Sequence, residues 1–328
     1  MKPVASVVLC THNPQPTYLQ RVLDALRDQT LPLDQWELLL IDNASETALG
    51  RDCNLCWHPS GRHIREDKLG LSFARVKGVN EARGELIVFL DDDNILDRNY
   101  LATAKSIMQD KTIGALGGAA SPIFEENVVP PAYFYNVATW LACGAQFGSR
   151  DSIGKEFVDL TELHDFSLFG AGLVVRRSDM TDLLGLPDFP SLSDRMGTTL
   201  SSGGDYEICY LIALKGKRIG YSAQLRFEHI IPEFRLEPSY LLRLSSTANA
   251  AQGRVIENYA EARKFYSKKL SKIQLMKNIA KVILLRHSYT EAFSLGLLLG
   301  SSRVVAAVDR PVFRNVLSVK RLSKRENS

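Results

Sequence analysis

A doubly wound α/β sheet is the fold class that this 328-residue sequence predicts, and three observations carry the prediction. Short apolar segments rich in β-branched residues recur in the first third of the chain, as parallel strands buried on both faces require. Segments with apolar residues at helical spacing stand between them. The three clearest strand segments each end in a polar cluster, and in open α/β sheets ligands bind at the carboxyl ends of the strands. Hydrophobic residues at 45% and charged residues at 23% fit a packed protein and exclude wholesale disorder.

The elements follow in order. Val4–Cys10 reads as the first strand and ends at Thr11-His12-Asn13. Thr17 is the expected N-cap of a helix whose Tyr18, Leu19, Val22, Leu23 and Leu26 recur at helical spacing. Trp36–Ile41 is a second strand, ending at Asp42-Asn43, and a helix is expected around Leu71–Ala82. Glu85–Leu90 is the third clear strand and runs into Asp91-Asp92-Asp93. Asn99–Gln109 reads as helix, and Ile113–Leu116 as a strand that stops before Gly117-Gly118. Residues 121–160 are rich in proline and aromatics and show no clean period. Leu173–Arg176 reads as a strand after Gly170-Ala171-Gly172, Tyr206–Leu214 as a helix and Arg218–Tyr221 as a strand. Beyond Tyr240 the chain turns helical and basic.

Charge divides the chain. From Arg263 to Ser328 there are fifteen Lys or Arg against three acids, a balance of +12, which leaves −9 for residues 1–262. An acidic body with a basic tail points to a binding or catalytic domain plus a segment that meets an anionic surface. Five cysteines in so long a chain fit a reducing compartment better than a disulfide framework. The start has no separate apolar segment with a small-residue cleavage site, so no signal peptide is expected. The charge-free stretch Ala292–Ser302 falls short of the ~20 residues that span a bilayer. The expected location is cytoplasmic, with peripheral attachment to the inner face of the membrane as the role for the tail.

Of the polar strand ends, the aspartate triplet is the sharpest. Crowded carboxylates repel one another unless a cation compensates. Three at a strand end can seat a hard divalent ion bridged to substrate phosphates, or form a solvated acidic turn before the helix near Asp97–Tyr100. Neither G-x-G-x-x-G nor G-x-x-x-x-G-K-[ST] occurs, which disfavours dinucleotide-dependent dehydrogenases and P-loop enzymes. Cys53-x-x-Cys56 with His58 and His63 has no standard zinc spacing and reads as a loop with incidental thiols.

The segments VVLCTHNP, LLLIDNAS, LGLSFARVKGVNEARGELIVFLDDDN, FGAGLVVRR and SSGGDYEICYLIALKGKRIGYSAQLRFEHIIP together resemble the family 2 glycosyltransferases. That group is inverting and has the GT-A nucleotide-sugar-binding fold, a Rossmann-like doubly wound mixed sheet. The similarity runs from about residue 4 to residue 245. It implies a catalytic domain over 1–245 and leaves 246–328 as a basic, partly amphipathic helical extension.

The resemblance also implies roles. Thr11, Asn13 and Asp42 would hold the nucleotide base, with Arg75 near the base or phosphates. Asp91 and Asp92 would lie near the ribose, and Asp93 would bind the metal, Mn²⁺ or Mg²⁺. His229 would be a further metal ligand or phosphate contact, its alternative being a structural histidine at a strand end. Gly170, Ala171 and Gly172 would form the acceptor-side floor, or simply a tight turn feeding the next strand. Asp205 would be the catalytic base, the alternative being the N-cap of the helix over 206–214. The family carries an acid immediately before that base, where this chain has Gly204. The implied donor is a nucleoside diphosphate sugar, with a UDP-sugar favoured, and the acceptor a glycan or lipid-linked hydroxyl. The stretches 121–165 and 186–203 are where acceptor choice is expected. A nucleotidyltransferase or an inactive membrane scaffold are the rival readings.

In the tail, Ile273, Met276, Ile279, Ala280 and Ile283 share one side of a helix with Lys277 and Lys281 opposite. An in-plane anchor on anionic lipid is expected, the alternatives being a helical hairpin packed on the catalytic domain or on a second subunit of a homodimer. A nucleic-acid partner is not expected, because the body is acidic and the tail has no recognised binding fold.

Overall fold

The computed structural model describes residues 2–49, 54–144, 157–158, 168–191, 194, 195, 200, 203–241, 243 and 244. The first half of the fold comprises β1 (Ala5–Thr11), α1 (Pro16–Arg27), β2 (Trp36–Asn43), β3 (Gly61–Glu66), α2 (Leu71–Glu81) and β4 (Leu86–Asp91). There follow β5 (Asn94–Leu96), α3 (Tyr100–Ile107), β6 (Ile113–Phe124), α4 (Phe134–Val137) and β7 (Phe157–Val158). The last described elements are β8 (Val174–Arg176), α5 (Arg177–Leu184), α6 (Gly204–Leu214) and β9 (Arg218–Ile231).

The strands form one mixed sheet in the order β3-β2-β1-β4-β8-β6-β9-β5, with β7 alongside β9. β3, β2, β1 and β4 run parallel. β8 is antiparallel to β4 and β6, and β5 and β7 are antiparallel to β9. The parallel strands read as unbroken apolar runs because both faces are covered. Val7, Leu9, Leu38, Leu40, Val88 and Leu90 belong to the core shared with Leu19, Val22 and Leu26 of α1. The alternate residues face the other way, where Val8 meets Gly78 and Phe89 lies beneath Arg75, both on α2. The chain lays β2 and β3 on one side of β1 and β4 on the other. This reversal opens a crevice between the carboxyl ends of β1 and β4.

Several element bounds differ from expectation for local reasons. α1 starts at Pro16 with Gln15 as N-cap, not at Thr17; the fixed φ of proline suits the first helical position. β6 does not stop before Gly117 but continues to Phe124. Gly118 permits this, since a Cβ there would come within 2.1 Å of the Leu225 carbonyl oxygen on neighbouring β9. β9 runs on from Arg218 through Ile231, well past Tyr221. β5 follows the aspartate triplet directly, a short strand that the sequence reading does not include.

The chain divides into two compact units, one built on Met1–Ile123 and Ala142–Ile230, the other on Phe124–Leu141 and the segment beginning at Ile231. The first holds the sheet. In the second, Phe134 packs edge-on against Phe124, the Tyr133 hydroxyl donates to the Leu236 carbonyl at 2.7 Å, and Phe234 packs edge-on against Tyr240. Among the described residues no helix is long and apolar enough to cross a membrane. The expected helices of the basic extension, 246–328, lie outside the described residues.

Candidate active site

Strand register brings the predicted residues to one edge of the sheet. Thr11 pairs with Asp42 across β1–β2, and Cys10 pairs with Asp91 across β1–β4. The Thr11 hydroxyl links the ends of β1 and β4 by donating to the Asp92 carboxylate.

Asp42 is fully buried. One oxygen accepts the Ser45 N–H at 3.2 Å, and the other accepts Arg65 Nη1 at 2.8 Å. Burial pushes this carboxyl up, but the hydrogen bonds from Ser45 and Arg65 outweigh it and hold the pKa below the ordinary value. Asn13 has a left-handed backbone (φ 47) and stitches its loop to the one after β2. Its N–H donates to Ser45 Oγ at 2.9 Å, and its side-chain oxygen accepts the Glu46 N–H at 2.8 Å. His12 donates through Nδ1 to the Asn43 carbonyl at 2.7 Å, since a carbonyl can only accept.

The triplet is shaped by its neighbours. Asn94, fully buried, donates to Asp93 Oδ1 at 2.9 Å, and the Asp93 carbonyl accepts the Ile230 N–H at 2.9 Å. Pairing of Asn94 with His229 across β5–β9 sets the imidazole beside the triplet. His229 Nε2 lies 3.3 Å from Asp93 Oδ2, while Cys143 Sγ lies 3.8 Å from Nδ1 on the other side of the ring. Among the described residues no cluster of three or more His, Cys, Asp or Glu is arranged to hold a metal ion. The pair Asp93–His229 nevertheless fits a divalent ion carried mainly on substrate phosphates, which takes one or two protein donors and keeps the rest of its shell for oxygens of substrate and water.

Above β4, α2 carries a buried arginine on its core-facing stripe. Ser72, Ala74, Arg75, Gly78 and Val79 are its buried positions. Arg75 Nη1 donates to Asp194 Oδ2 at 3.1 Å, and Nη2 lies 3.9 Å from Asp91 Oδ1. Burial works against this cation, but the charges of Asp194, Asp91 and Asp205 more than restore it, so its pKa is raised. Burial pushes the Asp91 carboxyl up, Arg75 opposes, and Asp93 adds to the rise.

Asp205 lies in the first turn of α6, whose N-cap is Gly203 (φ 125), not Asp205. One oxygen accepts the Gly170 N–H at 2.9 Å and the other the Tyr206 N–H at 2.8 Å. Burial raises its pKa despite Arg75 and these donors. Gly170 and Gly172 have their own packing reasons to be glycine. A Cβ at 170 would sit 2.2 Å from Arg75 Nη2, and Gly172 has a φ of 68 with the Tyr100 hydroxyl against it.

Three contributors were not anticipated. Arg65 is half-exposed on β3, an edge strand whose polar sequence hides it. Asp194 and Glu207 organise the connection between α5 and α6. Glu207, fully buried, accepts the Ser191 N–H at 3.0 Å and also its hydroxyl. Position 207 in the matched segment was the only sequence signal for it. The loop read as carrying incidental thiols keeps an exposed free Cys56 and a buried His58 packed edge-on to Trp36; Cys53 lies outside the described residues. Of the two stretches expected to govern acceptor choice, 145–156, 159–165, 192, 193, 196–199, 201 and 202 also lie outside them.

Comparisons with known proteins bear on the family and the fold. The putative glycosyltransferase EpsH of Bacillus subtilis is 29% identical over 112 residues, which cover 34% of this chain and 32% of that protein. The chain thus spans about a third of the length of the first curated relatives it matches. A glucosyl-dolichyl phosphate glucuronosyltransferase of Haloferax volcanii is 21% identical over 250 residues, 72% of each chain. The mannosyltransferase PcManGT from Pyrobaculum calidifontis, solved in complex with GDP-Man and Mn²⁺, superposes with a TM-score of 0.54 at 19% identity, covering 94% of this chain and 87% of that one. At that identity the likeness establishes the fold, which is the GT-A type. The model for Glycosyl transferase family 2 matches residues 6–171, half of the chain, and the chain belongs to that family.

Proposed function

We propose that the chain is a metal-dependent, inverting glycosyltransferase that moves a sugar from a nucleoside diphosphate to a hydroxyl of a glycan or lipid-linked acceptor. The observation that carries this reading is the crevice itself. It sets Asp42 and the Thr11–Asp92 pair on one side, Asp93 with His229 at the triplet, and Asp205 across Arg75. Asp42 and Arg65 form the base-recognition end, and Asp91 and Asp92 face the ribose. Asp93 and His229 would hold Mn²⁺ or Mg²⁺, which when bound neutralises charge building on the departing diphosphate.

Asp205 takes the proton of the acceptor hydroxyl as its oxygen attacks the anomeric carbon. The new C–O bond forms as the bond to the diphosphate oxygen breaks, on the opposite face of the sugar. Its raised pKa suits a group that must accept a proton near neutral pH. Gly170-Ala171-Gly172 supplies the acceptor-side floor, and the Gly170 N–H orients the base.

The resemblance favours a UDP-sugar, whereas the Pyrobaculum neighbour was solved with GDP-Man, so both nucleotides belong in the test. The reading assigns 1–245 to catalysis and 246–328 to a location on an anionic membrane surface or to self-association. Calorimetry with UDP- and GDP-sugars in Mn²⁺ or Mg²⁺ should find one that binds and is slowly hydrolysed. Binding of none would overturn the enzyme reading, and full retention on anionic liposomes without residues 246–328 would overturn the role given to that segment.

A further inference from the structure

Gly204 is the residue whose smallness needs explaining. A Cβ there would lie 2.4 Å from Asp194 Oδ2 and 2.9 Å from Asp194 Cγ. The carboxylate of Asp194 therefore fills the space into which a side chain at 204 would project. That carboxylate is fixed from several directions. Its Oδ1 accepts the Gly204 N–H at 2.8 Å, and its Oδ2 accepts Arg75 Nη1 at 3.1 Å. Its own N–H donates to Ser72 Oγ at 3.1 Å, and the next carbonyl, of Arg195, accepts the Leu71 N–H at 3.1 Å. The Glu207–Ser191 bonds hold the same loop from the α6 side. Asp194 and Arg75 are both almost fully buried.

We infer that Asp194 is a positioning residue of this site: reaching in from the loop between α5 and α6, it supplies the carboxylate that the family resemblance places at 204, and it holds Arg75 between Asp91 and Asp205. Without Asp194 the buried guanidinium would be shared by Asp91 and Asp205 only, which would stabilise the Asp205 carboxylate further and weaken it as a base. Asp194 answers that cation, and its charge opposes ionisation of Asp205, the repulsion being mutual. The other charged or titratable groups facing Asp205 are Arg75 on α2, Arg195 beside Asp194, and the buried Cys209 thiol on α6. The kinetic consequence rests on the proposed transfer reaction; the placement does not.

The test has donor-free and donor-dependent arms. In Asp194→Asn, carboxyl NMR should show Asp205 titrating at lower pH than in the wild type; an unchanged midpoint would overturn the inference. Gly204→Ala should lower Tm in the wild-type background and lose most of that effect in Asp194→Gly, whereas equal losses in both would show that 194 does not fill the 204 space. With a turning-over donor, Asp194→Asn should reduce kcat at least tenfold with donor KM within about twofold, as expected of a group acting through another. Gly204→Glu should restore turnover in Asp194→Gly and abolish it in the wild-type background. A double variant no better than Asp194→Gly would sink the inference. Asp194→Ser, which keeps an acceptor for the Gly204 N–H, is the second variant if the amide does not fold. If wild-type protein turns over no donor, the glycosyl-transfer reading fails, while the titration and Tm arms still decide the role of Asp194.

Discussion

Asp42 and Arg65 are register partners in the parallel pair β2–β3, and Arg65 Nη1 donates to Asp42 Oδ2 at 2.8 Å. The buried carboxylate thus draws its countercharge from the edge strand of the sheet, at the end of the crevice assigned to the nucleotide base. Because its folded pKa lies below the ordinary value, the contribution to stability is present at neutral pH. It is lost as pH falls through the folded value.

Arg65→Gln should therefore lower the urea midpoint at about pH 7, with the deficit shrinking as the pH falls toward about 3. A deficit equal at both pH values would mean that Arg65 stabilises the fold by packing and not through Asp42. Donor affinity should also fall if this pair orients the base, which calorimetry on the same variant reads directly.

Gly78 sets two effects against each other. Alanine in a helix interior is favoured over glycine by about 1 kcal/mol. A Cβ at 78, however, would sit 2.2 Å from Val8 Cγ1, a fully buried atom in the middle of β1. Overpacking a tight core costs about 1–3 kcal/mol, and Val8 has the core shared with α1 behind its strand. Gly78→Ala should destabilise by about 1–2 kcal/mol in urea unfolding. An unchanged midpoint would show that α2 can lift from the sheet, and with it Arg75.

The contrast between Asp42 and Asp194 shows what was legible in the sequence. Asp42, Thr11 and the triplet could be found because strands buried on both faces leave unbroken apolar runs, and the runs stop at the crevice. Arg65 could not, because β3 is an edge strand with a single large apolar residue, Ile64, and so leaves no apolar run or alternation to read. Asp194 lies 119 positions from Arg75 in a loop without periodicity, so only folding brings them together. Gly204 was visible as a departure from the family pattern, but its cause was a contact and not a local preference. The expectation for β9 stops at Tyr221 for a related reason: Gln224, Arg226 and Glu228 occupy exposed positions of a strand that pairs with three others.

Asp93 and His229 make a prediction of their own. The imidazole is held beside the carboxylate by strand register and flanked by Cys143, an arrangement that leaves little freedom to the ring. If the pair carries the metal, Asp93→Ala should abolish Mn²⁺-dependent binding of nucleoside diphosphate in calorimetry. His229→Ala should weaken it by about 10–100-fold, the loss usual for a group that supports a metal site. Identical binding in EDTA and Mn²⁺ would remove the metal from the mechanism.

Asp205 carries the last prediction. Its carboxylate is held by the Gly170 and Tyr206 amides, so Asp205→Asn retains an acceptor for one of them and should fold normally. Donor binding should persist if the donor is held, as proposed, by the residues at the ends of β1, β2 and β4 with Arg65, Arg75 and His229, none of which is altered in this variant. Transfer should fall by about 10²–10⁴, the usual contribution of a positioned general base. The pH profile separates this from mere damage. A base works only when ionised, so activity in the wild type should be lost as the pH falls through the raised Asp205 pKa. That acid limb should therefore lie above the ordinary carboxylate value of about 3.9. In Asp205→Asn the residual rate should show no such limb; if the limb survives unchanged, the group that takes the acceptor proton is another residue.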